Sequence, residues 1–269
     1  MSLRAVSVRA CHEPEAELLY VLHGFLGDET ALDGVTSRIA SRFARVERWV
    51  LPGHKREPWS ASWTFDAVVD RLIERCSAVE PGVIVGYSMG ARIALAMILR
   101  APERFSCAAL VGVDPGIDDA PTREARLRWE RAMADELLRD GTQAFAARWS
   151  ELEIFASQRS LPGPVREALS LRRSQHDPEG IAWAMRALGT GSMPSRWGAL
   201  AGLAVPTVVV TGELDKKFTA ISATMAERSP RVARCVVEGV GHDVTLEAPE
   251  AVVDALQTLI ARSSVDAEK

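Results

Sequence analysis

Ser88 stands in the pentapeptide Gly86-Tyr87-Ser88-Met89-Gly90. When a G-x-S-x-G follows an apolar strand and opens a helix, the chain turns sharply and presents the serine hydroxyl above a sheet. Both halves of that context are present: GVIVGYS (82–88) is a β-branched run, and ARIALAMILRA (91–101) is rich in Ala and Leu. The flanking glycines relieve the crowding such a turn creates. A plain Gly-Ser turn in which Ser88 only caps a helix explains less of this context. A serine hydroxyl is a weak nucleophile and a weak base until a neighbour takes its proton. Histidine is the commonest side chain for that work.

The chain has five histidines: His12, His23, His54, His176 and His242. A serine at a strand-to-helix elbow is followed along the chain by its acid and then by its histidine. That order selects His242, in GVGHDVTLEAPE. His23, in HGFLGD after the first strand, is read as shaping its loop, and His12, His54 and His176 as surface or loop residues. The acid should close a strand between Ser88 and His242. Asp215, in VVVTGELDKKF, fits, with Glu213 as the near competitor and Asp114 as the distant one. Asp215 is preferred because its strand directly precedes that of His242. Its task is to fix the imidazole tautomer and stabilise the imidazolium. An oxyanion hole needs two backbone N–H groups: one from Met89, after the serine, and one from Phe25, in the loop after the first strand.

These residues need a scaffold that gathers strand ends. Apolar runs at 18–24, 46–54, 82–88, 107–114, 205–212 and 234–242 read as strands. Helical periodicity marks 65–76, 91–101 and 249–262. Strands alternating with helices imply βαβ units and a mainly parallel sheet, hence an α/β fold. Residues 115–200 break the rhythm, with helical spacing in EARLRWERAMADELLR (124–139) and TQAFAARWSELEIFA (142–156) and no strand. A crossover needs only about a dozen residues, so this segment is expected to be a helical cap inserted into a core of 1–114 and 201–269. Four of the seven tryptophans, Trp129, Trp149, Trp183 and Trp197, fall within it. The tail SSVDAEK (263–269) is polar and is expected to fray.

The bulk composition narrows the function. A net charge of −4, with no basic domain or stripe, gives no nucleic-acid footprint. No stretch approaches the roughly 20 apolar residues of a membrane span, and the N-terminal residues lack a signal peptide's apolar core. Cys11, Cys76, Cys107 and Cys235 form no CxxC pair, and Cys107 and Cys235 sit in apolar runs, as buried small hydrophobes do. The expectation is a cytoplasmic protein, a monomer or small homo-oligomer.

The motifs LHGFLG, LPGH, GYSMGARIAL, PGIDD, ALGTGSMPSRW, GELDKKF and GVGHDVTLEAPE together resemble one branch of the α/β-hydrolase fold. That branch is the menaquinone-pathway family of 2-succinyl-6-hydroxy-2,4-cyclohexadiene-1-carboxylate synthases. HGFLG and G-x-S-x-G are shared widely across the fold; Arg92, GELDKKF and GTGSMPSRW are more particular. The resemblance implies a lyase that needs no metal and no cofactor. Ser88, activated by His242, would remove a proton beside a succinyl ketone, and pyruvate would be expelled across the ring. The substrate is a polycarboxylate, so the resemblance also implies cations: Arg92 from the nucleophile helix, Arg123 or Arg126 from the first cap helix, Arg173 before HDPEG, and Lys217. Trp149 and Tyr87 are implied as further contacts, whereas Trp129, Trp183 and Trp197 read as cap core. Three departures stand out: LPGHKREPW for the common LPGHG, Asp243 and Thr245 where Asn and His are frequent, and Ala91 where a second glycine is usual. A carboxylester or thioester hydrolase using the same three residues through an acyl-enzyme is the alternative. A binding protein with a degenerate site is a third reading.

Overall fold

The computed structural model describes residues 18–267, with side chains described to 261. Cys11 and His12 lie outside the described residues. Among the described residues, six strands form one parallel sheet: β1 (Leu18–Leu22), β2 (Arg45–Trp49), β3 (Gly82–Tyr87), β4 (Phe105–Val111), β5 (Thr207–Gly212) and β6 (Val232–Val237). Their order across the sheet is β2-β1-β3-β4-β5-β6. Every residue of β3, β4 and β5 is buried, as expected of a parallel sheet covered on both faces. Edge strand β2 carries Arg45, Glu47 and Arg48, charges that discourage pairing with another chain.

The helices of the core are α1 (Asp33–Ile39), α2 (Phe65–Arg75) and α3 (Met89–Arg100) before the sheet's midpoint. Between β4 and β5 come α4 (Ala120–Ser150), α5 (Gly163–Ser174) and α6 (Pro178–Ala187). After β5 come α7 (Lys216–Arg228), the short α8 (Val244–Glu247) and α9 (Pro249–Ala267). The sequence pattern had not marked α1 or α7 as helices. α9 continues through most of the tail expected to fray. One core cluster packs α2 and α3 on one face of the sheet, with Phe65, Leu72, Ile93 and Met97 against Ile84 and Leu110. The other packs α1 and α9 on the opposite face, with Val35, Ile39, Val252 and Leu256 against Val85 and Val111. Burying each such side chain contributes about 1.5–3 kcal/mol.

α4 is kinked at Gly141, whose φ of 81° and ψ of 162° are not helical. The kink folds α4 against α6, and Ala134, Leu137, Phe145 and Ala146 meet Ile181, Ala182 and Met185 around Leu26. Strand order reverses at β1, which lies between β2 and β3. The crevice at the carboxyl ends of the strands beside such a reversal is where open α/β sheets bind ligands. Phe25 follows β1 and Ser88 follows β3, so both lie at that place.

Candidate active site

Ser88 has φ 50° and ψ −107°, a left-handed conformation that a non-glycine residue rarely holds. The elbow closes because Ser88 N–H donates to Val111 O at 2.8 Å. It also needs glycine at 90, where a Cβ would lie 2.4 Å from Leu22 O. α3 therefore starts directly against the end of β1. Met89 is its first residue, and the first N–H groups of a helix have no acceptor within it.

His242 Nε2 lies 3.0 Å from Ser88 Oγ, and His242 Nδ1 lies 2.6 Å from Asp215 Oδ2. An ionised carboxylate only accepts, so Nδ1 carries the proton and Nε2 offers its lone pair to the Ser88 hydroxyl. Asp215 is itself held: it caps α7, with Oδ1 accepting from Phe218 N–H at 3.3 Å. Its two competitors are engaged elsewhere. Glu213 accepts from Gly239 N–H, and Asp114 accepts from Gly116 N–H and from Lys217 Nζ. The imidazole is 2% exposed and is boxed by rings of Phe218, Tyr87 and Phe155 at 4.5, 5.5 and 6.2 Å between centroids. Its remaining side abuts Gly112, which has φ 59° and where a Cβ would lie 2.7 Å from His242 Cε1.

Ser88 opens onto a cavity of about 370 Å³. Phe25, Met89 and His242 border it beside the serine, and Arg92, Arg126, Glu130, Trp149 and Lys217 complete its walls. Arg92 is 9% exposed; its Nη1 donates to Leu188 O at 2.8 Å, and burial pulls its pKa down to about 10. Arg126 pairs with Glu130 at 2.6 Å, and Lys217 with Asp114 at 3.3 Å. Arg92 is thus built into the wall, while Arg126 and Lys217 each face a carboxylate partner from more exposed positions.

The structure does not bring every expected residue to this cavity. Arg123 is exposed in the first turn of α4, one turn before Arg126, and does not line it. Arg173 is buried, donating to Ser150 Oγ and Gln158 Oε1 with its guanidinium over Phe155. With Tyr87 it borders a recess of about 40 Å³ that reaches Ser88 from another side. Burial holds the Tyr87 phenol well above its usual range. Trp129, read from sequence as cap core, lines the cavity, with the Arg126 guanidinium 4.5 Å above its ring. Trp183 does join the core, and Trp197 donates to Gly116 O.

His54 and His176 are not surface residues. Both are buried, and with His23 their rings form an edge-to-face chain, His23 to His54 to His176, at centroid distances of 4.8 and 5.5 Å. Both lie in loops, as the sequence reading allowed, but packing buries those loops. His23 Nε2 accepts from Leu51 N–H, and His176 Nδ1 accepts from Lys55 N–H. Lys55, in the departing LPGHKREPW loop, has φ 49°. It holds the backbone conformation that glycine of LPGHG would adopt freely, and its Nζ pairs with Asp28 at 2.8 Å. The departure at 243–245 caps α8, because Asp243 Oδ1 accepts from Thr245 Oγ1–H and Leu246 N–H.

Sequence reasoning missed Gly112, Glu130, Phe155 and Phe218. Phe218, in DKKF, sat inside a segment already singled out. The others had no local signal. Among the described residues no group of three or more His, Cys, Asp or Glu could hold a metal ion, and no helix is long and apolar enough to cross a membrane.

Residues 19–255 match the Alpha/beta hydrolase family. An Enterobacter sp. (strain 638) protein named 2-succinyl-6-hydroxy-2,4-cyclohexadiene-1-carboxylate synthase is 28% identical, over 92% of this chain and 93% of its own. A Bacillus subtilis (strain 168) protein, given the same name with a provisional qualifier, is 35% identical over 166 residues. That match covers 62% of this chain and 61% of the Bacillus protein, less than two thirds of its length. The solved structure of MenH from S. aureus superposes with a TM-score of 0.87 at 27% identity, covering 95% of this chain and 97% of that one.

Proposed function

The chain belongs to the alpha/beta hydrolase family, and on that footing we propose that it is a 2-succinyl-6-hydroxy-2,4-cyclohexadiene-1-carboxylate synthase, a carbon–oxygen lyase of menaquinone biosynthesis. The observation that carries the reading is the Ser88–His242 hydrogen bond opening onto a cavity walled by Arg92 and Arg126. Relatives matching along nearly their whole length bear the synthase name, which supports it. The substrate is 2-succinyl-5-enolpyruvyl-6-hydroxy-3-cyclohexene-1-carboxylate, a tricarboxylate, and the protein works in the cytoplasm as a monomer or small homo-oligomer.

In this reading His242 Nε2 takes the Ser88 proton while Ser88 Oγ takes the proton beside the succinyl ketone. The electron pair left on carbon becomes an enolate, which the N–H groups of Phe25 and Met89 stabilise. Collapse of the enolate forms the C2–C3 double bond, shifts the C3–C4 double bond to C4–C5 and breaks the C5–O bond, and the departing pyruvate enolate takes the returned proton to leave as pyruvate. Asp215 keeps Nδ1 protonated and stabilises the imidazolium. Residues 115–200 serve as the cap. Arg92, Arg126 and Lys217 receive carboxylates, Trp149 packs on the ring, and Tyr87 and Arg173 act from the recess behind Ser88. Arginine suits this role because its planar fork matches a carboxylate.

The test is pyruvate release from the enolpyruvyl cyclohexene, made in situ by the preceding enzyme, against a no-enzyme blank. Release well above the blank, lost in Ser88→Ala, is expected. Release equal to the blank, with rapid turnover of an aryl ester and labelling of Ser88, would replace the lyase by a hydrolase.

A further inference from the structure

We propose that Glu130 is a positioning residue: it ties Arg126 to the Gly189–Gly191 segment and so sets the geometry in which the cavity receives a polycarboxylate. The inference rests on the proposed reading of the site as one for a polyanion.

Glu130 lies in the middle of α4 with its side chain 1% exposed. Its Oε1 accepts from Arg126 Nε at 2.6 Å, and its Oε2 accepts from Gly191 N–H at 3.2 Å. The chain opposite is shaped around this carboxylate. A Cβ on Gly189 would lie 2.2 Å from Oε2, and one on Gly191 would lie 3.0 Å from it. From the other side, Arg92 Nη1 donates to Leu188 O. Residues 188–191 are therefore gripped from the core by Arg92 and from α4 by Glu130. Leu188, Gly189 and Thr190 all line the cavity.

A carboxylate aimed at an anionic substrate would repel it. Glu130 avoids this because the Arg126 guanidinium, 2.6 Å away, offsets its charge, so the pair presents no net negative charge. It acts through Arg126 instead. The pair has Arg before Glu at i,i+4, the weaker order on an exposed helix, so local helix stability does not account for it. Its Nε–H is committed to Glu130 and its plane lies over Trp129. The guanidinium is thus oriented before binding, while its terminal nitrogens take no part in that bond. Ordering a long side chain at the moment of binding weakens affinity, and the pair removes that penalty.

The experiment is a double-mutant cycle of Glu130→Gln and Arg126→Gln in the full chain. It reads pyruvate release and, independently, calorimetric binding of propane-1,2,3-tricarboxylate. Each single variant is expected to raise KM and the tricarboxylate Kd about tenfold with kcat within about threefold, the signature of lost binding rather than lost chemistry. In the Arg126→Gln background, Glu130→Gln is expected to add less than about twofold, because both act through one contact. An unchanged Kd in Glu130→Gln, additive effects in the double variant, or a loss confined to kcat would overturn the proposal. A glutamine at position 126 can still donate an amide N–H to Glu130, so Arg126→Gln is the second variant that keeps the proposal falsifiable if Glu130→Gln does not fold, and an unchanged Kd in it would overturn the proposal alone. If the unmodified chain releases no pyruvate, the lyase reading falls while the calorimetric arm still decides Glu130. Absence of tricarboxylate binding by the unmodified chain would overturn the inference as well.

Discussion

The two sides of the cavity are built on different terms. On the sheet side, Ser88 and Asp215 follow directly from strand ends, where backbone hydrogen bonds fix them, and His242 is held between them by its side-chain hydrogen bond to Asp215. On the helical side, Arg126, Glu130 and Trp149 project from α4, and side-chain pairs fix them. Position comes chiefly from main chain for Ser88 and Asp215 on one side, and from side-chain partnership on the other. The first is hard to disturb except by altering the backbone or the reacting atoms. The second loses its geometry as soon as one partner is removed.

Four outcomes would break or sharpen that contrast. The largest concerns the reacting atom: Ser88→Ala should lower kcat by about 10³- to 10⁴-fold with an unchanged melting curve. Activity within tenfold of the unmodified chain would mean that the elbow does not carry the chemistry.

Next comes the histidine cluster, which joins the two sides, since His176 lies between α5 and α6 while His23 and His54 lie in core loops. Burial holds His23 down to about 4 and keeps His54 and His176 below their ordinary values too. The unfolded chain therefore binds more protons as pH falls below about 6.5, and stability present above that pH is lost on the way to about 4. For His23 alone the displacement corresponds to about 3 kcal/mol. Urea unfolding across that range should show the loss, and a flat profile would rule out a neutral buried cluster.

The third change alters only backbone space. Gly112→Ala places a methyl group against His242 Cε1 and asks alanine to hold φ near 59°. It should cost about 1–2 kcal/mol of stability and roughly 10²-fold in kcat. Unaltered kcat would show that the imidazole position tolerates a shift. The smallest effect is expected on the helical side, where Arg126→Lys keeps the charge but loses the fork. A rise in KM of about fivefold with little change in kcat is expected from steady-state rates. A fall in kcat instead would place Arg126 in the chemical step.

The same contrast explains what could be read in advance. The strands at 82–88, 107–114 and 205–212 announce themselves because buried parallel strands are runs of apolar and β-branched residues. The Ser88 elbow announces itself because its geometry demands glycines at fixed spacing. α7 stayed hidden because Lys216–Arg228 has only Phe218, Ser222 and Met225 buried along it. Arg123 and Arg126 were indistinguishable, since both belong to the same amphipathic helix and only packing tells which one faces a cavity. Trp129 was misread for the same reason, because an aromatic ring at helical spacing serves a core or a ligand wall equally well.

Taken alone, the order of residues determined the alternation of strands and helices, the elbow at Ser88 and the chain order that singles out Asp215 and His242. These are local or ordinal properties, and short-range sterics and hydrophobic period encode them. Only the tertiary structure decided that Gly112 makes room for His242, that Glu130 meets Gly189 and Gly191, and that the rings of His23, His54 and His176 meet edge to face out of water. Each of those depends on residues brought within a few ångströms by the packing of separate elements, and no interval along the chain records that closeness.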